Sequence, residues 1–142
     1  MAVPFRLSTV LRVRQSARDQ HRLALAHEQQ REDALLIERA RIVAERTTVV
    51  RELCEMHDGG TWLADRALAR QQHAEHLSAE LDRIGSALID VAAVIRRCRN
   101  ALLEADISVK ALEKMAERHA SDIQRAERAT DERELADIWR AA

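Results

Sequence analysis

Between Leu77 and Ala116 the apolar residues recur in alternating steps of four and three: Leu77, Leu81, Ile84, Leu88, Val91, Ile95, Cys98, Leu102, Ala105, Val109, Leu112 and Ala116. A helix turns once in about 3.6 residues, so this spacing keeps one side continuously apolar over many turns. A strand, whose faces alternate at every residue, cannot present it. The stretch is therefore expected to be a single long helix whose stripe needs cover. The same phase runs on through His119, Ile123 and Ala126; then Thr130 and Arg133 fall on it and the apolar residues move to Leu135 and Ile138. The seam is expected to weaken towards the C-terminus. Gly85 sits beside the stripe without changing its phase and reads as a helical glycine, costing about 1 kcal/mol relative to alanine.

A second stripe lies upstream, in the doublets Leu35-Leu36, Ile42-Val43 and Val49-Val50, followed by Met56. Between Arg14 and Asp33 only Ala17, Leu23, Ala24, Leu25 and Ala26 are apolar, which predicts looser packing. The two stripes are separated by Asp58-Gly59-Gly60-Thr61, where paired glycines break a helix and Thr61 can cap the next. Pro4 and Phe5 precede the first stripe, with Ser8 or Thr9 available as N-cap residues. The spacing predicts a helix over about 8–57, a turn at 58–61 and a helix over about 61–139.

Neither stripe can remain in water, because most helix stability in proteins comes from burying the apolar face. A short turn makes the partner local, so the expected fold is all-α: one domain over 1–142, two long helices in an antiparallel coiled-coil hairpin, the second longer. Folding about the glycines pairs residues whose numbers sum to roughly 119, bringing Ile42 near Leu77 and Val50 near Ala69. At about 1.5 Å per residue the helices would be about 75 and 120 Å long, leaving about 30 residues past 111 without an internal partner. That stretch carries Leu112, Met115, Ile123, Leu135, Ile138 and Trp139. It either protrudes towards a partner, frays, or is shortened by a bend in 61–84.

Composition narrows the function classes. More than half of the residues are Ala, Glu, Lys, Leu or Arg, and one Phe, two Trp and no Tyr supply little for a globular core. A formal net charge of -1 leaves no excess to neutralise phosphates, so no nucleic-acid partner is expected. Arg6, Arg12, Arg14, Arg18 and Arg22 against Asp19 make the start locally basic: a solvated face, a contact for an acidic partner, or a lipid-surface arm. No apolar run reaches the roughly 18 residues of a membrane span, and the start lacks the apolar core of a secretory signal, which predicts a cytoplasmic chain. Cys54 and Cys98 suit neither zinc nor a redox pair, and the expected register separates them by about 50 Å along the rod.

A thin two-helix rod offers no concave, water-excluding pocket, so enzyme activity is not expected. Phosphate-binding, dinucleotide, nucleophile-elbow and zinc-protease motifs are absent, so no cofactor, no metal and no ATP site are predicted for this chain. Cys54 with His57, and His73 with His76, are pairs at helical spacing, but the register places His73 opposite Arg46 and Cys54 opposite Asp65, which supplies no third ligand. Trp62, at the bend, and Trp139 each read either as partly covered or as an interface residue.

Phe5-Arg6-Leu7-Ser8-Thr9-Val10-Leu11-Arg12-Val13-Arg14 resembles the F-x-L-x-x-[LV]-L-x-[LV]-R start of the FliJ family of flagellar export components, which is similar in architecture to the YscO stalks of virulence-type secretion. Val109, Leu112, Glu113, Lys114, Glu117 and Arg118 resemble that family's V-x-x-L-E-K-x-x-E-R stretch, and Glu134-Leu135-Ala136-Asp137-Ile138 its closing E-L-D-E-I. The match departs at the closing Asp-Glu pair, where Ala136-Asp137 stands, and at His73 and His76, where Tyr or Phe is common.

The resemblance implies a non-enzymatic stalk whose terminal end enters a hexameric export ATPase and whose other end faces the membrane export gate, with a link to export chaperones. It implies a cytoplasmic protein that can sit peripherally at the inner membrane. On this reading Leu7, Leu11, Arg14, Leu112, Glu113, Met115 and Arg118 are the ATPase-binding candidates, and Leu68, Gln72 and His76 the gate-facing ones. Two other readings stand beside it: the equivalent stalk of a virulence-type system, and a structural coiled coil that only self-associates.

Overall fold

The structure, a computed structural model, describes residues 5–58 and 64–142. They form two helices, α1 (Ser8–Asp58) and α2 (Ala64–Ala141), with no strand among the described residues. The helices pack against each other as the two arms of an all-α hairpin. Their bounds lie within a few residues of those expected. Pro4, the diglycine, Thr61 and Trp62 lie outside the described residues, and with them the expectations for the turn and its cap.

Helix α1 does not start on a hydroxyl cap. The Ser8 amide donates to the Phe5 carbonyl at 3.1 Å and the Leu11 amide to the Leu7 carbonyl at 2.8 Å. The first helical carbonyl is thus that of Leu7, which puts Ser8 and Thr9 inside the first turn rather than at the N-cap. Further along, Thr47, Thr48 and Thr130 turn their hydroxyls onto the carbonyl four residues earlier, satisfying exposed polar groups within the helix.

By contacts the chain divides into two units, one joining the start of α1 as far as Leu23 with Arg99–Ala142, the other being Ala24–Cys98. In the second, Ile42, Val49, Leu77 and Ile84 form a buried cluster against which Leu35, Ala74, Leu81 and Leu88 pack. Ile42 and Leu77 therefore share a core, as the register requires. The doublets resolve in one sense: Ile42 and Val49 face inward, while Val43 and Val50 are exposed. Val50 was expected near Ala69, but one residue rotates a side chain by about 100° around the helix, and Val49 takes the inward place. Three polar contacts flank this seam. Arg70 pairs with Glu52 at 2.9 Å, His73 with Glu45 at 3.2 Å, and Arg46 donates to the Ser78 hydroxyl at 3.4 Å. All join helix to helix within a few residues of the expected register, although His73 meets Glu45 and not Arg46.

In the other unit Val109 is completely buried, and Leu7, Leu11, Leu112, Ala116, His119 and Ile123 are half-buried. The Phe5 and His119 rings meet at 5.7 Å, tilted by 45°. That contact corrects the expected end of the covered seam. The register at this end is several residues longer than a sum of about 119, so cover continues to Ile123 and does not stop near 111. From residue 124 onward every residue is exposed while α2 continues to Ala141, so the end is helical and not frayed.

The predicted looseness between Arg14 and Asp33 is visible as the absence of any buried residue there. Arg18 and His21 in one unit, and Glu28 and Glu32 in the other, hold inward positions that aliphatic residues occupy elsewhere. Long polar side chains can do this by packing their stems and keeping their charged ends in water. Arg18 reaches Asp19 at 3.4 Å, and Glu28 accepts from Arg31 at 3.0 Å.

Candidate functional site

The terminal candidates fall into two classes. Leu7, Leu11, Leu112 and Glu113 are half-buried, with the leucines serving the seam, whereas Arg14, Met115 and Arg118 are exposed. Counting in opposite directions from the Phe5–His119 contact brings Leu11 level with Leu112 and Glu113. The unit thus presents a small surface in which a packed aliphatic floor is bordered by two arginines, a methionine and a half-covered carboxylate. Such a surface can grip another protein by apolar contact and charge-assisted hydrogen bonds.

Leu68, Gln72 and His76 sit one helical turn apart on α2, and all three are exposed. Leu68 leaves more than half of its surface in water. His76 lies 3.5 Å from Glu80, one turn further on. The structure brings these three onto one helix face, and Ala67 beside them turns inward.

A shallow groove that sequence reasoning missed runs along the same unit between the outward doublet members and α2. Val43, Gly85, Leu88 and Ile89 line one part, Val50, Ala74 and Ala79 the next, with Arg46 and Asp82 shared by both. A Cβ placed at Gly85 would meet nothing within 4 Å, so the space beside it is open. The signal that could have found it is the heptad spacing of Leu36, Val43 and Val50 one position beyond the buried stripe. Towards the end of α1 and the start of α2, a polar depression is lined by Glu52, Glu55, Met56, Arg66, Arg70 and His73, with two of these already paired across it.

Electrostatics add little. Hydrogen bonding from Arg41, at 2.6 and 3.1 Å, holds the Glu38 carboxyl below its usual range and raises Arg41 in turn. Both groups are solvated, so the pair is a local helix contact. Among the described residues no group of three or more His, Cys, Asp or Glu is placed to hold a metal ion, and His73 of the suspected pair is engaged by Glu45. No described helix is long and apolar enough to cross a membrane.

A family model described as "Flagellar FliJ protein" matches residues 3–138. No curated protein and no solved structure matches the chain.

Proposed function

From the premise that this chain belongs to the FliJ family of flagellar export-related coiled-coil proteins, we propose that it is the stalk of the export machinery, binding a hexameric export ATPase through its terminal end. The observation that carries the reading is the family match across residues 3–138, supported by the exposure of Arg14, Met115 and Arg118 around a packed leucine floor. Leu7, Leu11, Leu112 and Glu113 support that floor and complete the docking surface. Leu68, Gln72 and His76 form a second exposed face, assigned to the membrane export gate. Export chaperones are further partners of the same protein, which works at the cytoplasmic face of the inner membrane as a peripheral component.

Such a stalk does no bond chemistry. It acts by binding some states of the ATPase ring more tightly than others, and the difference is what it can transmit. Packed helix pairs suit that role because they resist bending, while the exposed polar contacts at their flanks contribute little energy.

The test is ATPase stimulation by purified chain carrying Arg14→Glu, Met115→Asp and Arg118→Glu together. Stimulation should fall about tenfold or more, since truncating interface anchors typically removes at least that much affinity. Helicity should be unchanged, because all three side chains are exposed. Full stimulation by the triple variant would refute the terminal assignment. Leu68→Asp with His76→Asp should leave stimulation intact and abolish capture of the gate's cytoplasmic domain.

A further inference from the structure

Two exposed helix faces in the unit that joins the start of α1 to Arg99–Ala142 are complementary to each other. On α1, Val10 and Val13 are 42% and 61% exposed, and the exposed Arg14 and, just before the helix, Arg6 stand on the same side. On α2, Leu135, Ile138 and Trp139 are 56%, 66% and 79% exposed, with Asp131 one turn before them on the same side. Neither arginine nor Asp131 has an ion pair among the described residues. Both faces carry apolar residues at i and i+3, with Arg6 and Arg14 beside those on α1 and Asp131 beside those on α2.

Their spacing is also the same. Sliding one face along the other in parallel sets Arg6 against Asp131, Val10 against Leu135, Val13 against Ile138 and Arg14 against the Trp139 ring, a favourable partner for a guanidinium. A chain cannot make this match with itself in the observed structure, where residues 124–142 are exposed throughout. We propose that residues 131–139 of one copy dock in parallel on the Arg6–Arg14 face of a second copy, and reciprocally, forming a two-fold dimer. The reciprocity is consistent with the register fixed by Phe5 and His119. It places the axis near Arg125 of both copies. In a two-fold dimer each contact occurs twice, so every favourable pair counts double.

Sedimentation equilibrium of the full chain, taken to millimolar concentration at low and high salt, decides the matter. Mass should rise from the 16.1 kDa monomer towards twice that value, and less so at high salt, where exposed charge pairs are screened. Arg6→Asp and Asp131→Arg should each weaken the dimer about tenfold, and combining them should restore it, because repulsion introduced on both sides becomes attraction again. Ile138→Asp should leave a monomer of unchanged helicity. A monomer at every concentration, indifference to Ile138→Asp, or failure of the charge swap to restore association would each overturn the proposal.

Discussion

Ile42 and Val49 in one unit, and Leu135 and Ile138 in the other, are branched aliphatic residues at helical spacing on long helices. The first pair is buried against Leu77 and Ile84. The second leaves more than half of its surface in water. Residue type cannot explain the contrast, since all four are branched aliphatic residues, but Leu135 and Ile138 have left the four-and-three phase that Ile42 and Val49 face. What differs is whether a facing stripe arrives in phase at the same height. The comparison teaches that in a two-helix protein burial belongs to the register between helices, whereas helicity belongs to each chain segment by itself.

The comparison can be broken most severely at the buried seam of α2. Val91→Pro removes a helical hydrogen bond, clashes with the preceding turn and disturbs a buried side chain; it should cost about 3 kcal/mol or more, read by denaturant unfolding with circular dichroism. Ile42→Ala should cost about 2–5 kcal/mol by leaving a hole in the packed cluster, while Leu135→Ala should stay within about 0.5 kcal/mol. Equal effects from these two would erase the contrast between the regions. Gly85→Ala should stabilise by about 1 kcal/mol, because the added methyl meets no neighbour and the helix gains a better former. The smallest effect belongs to Glu38→Gln. The folded state holds the Glu38 proton affinity below its usual range, so the pair contributes above that range and its contribution disappears as the pH falls through the lowered value. For a solvated pair the melting temperature should not change measurably at neutral pH.

Much of this was legible in the sequence because a heptad stripe states both an element and its need for a partner. Every residue named on the α2 seam from Leu77 to Ile123 is buried or half-buried. The doublets of α1 were less decisive. Adjacent apolar residues satisfy the periodicity almost equally well, and only packing against Leu77 and Ile84 selected Ile42 over Val43. The inward places of Arg18, His21, Glu28 and Glu32 were invisible for a different reason, since a hydrophobic pattern scores their charged ends and ignores their stems. The end of the covered seam was misjudged because register was reckoned from the bend, whereas the Phe5–His119 contact sets it at the other end. For the candidate site, only the one-turn spacing of Leu68, Gln72 and His76 on a helix could be read. Which partner meets that face is decided by a surface outside this chain.

The four-and-three seam also constrains how this protein could change in length. Seven residues added to α2 alone would keep its stripe facing inward but carry everything beyond the insertion two turns out of step with α1. Three or four residues would swing the rest of the stripe partly away from its partner. Growth or shrinkage that preserves the packing must therefore come in matched heptads on both arms, so the length of paired seam is a quantity this architecture can alter only in discrete increments.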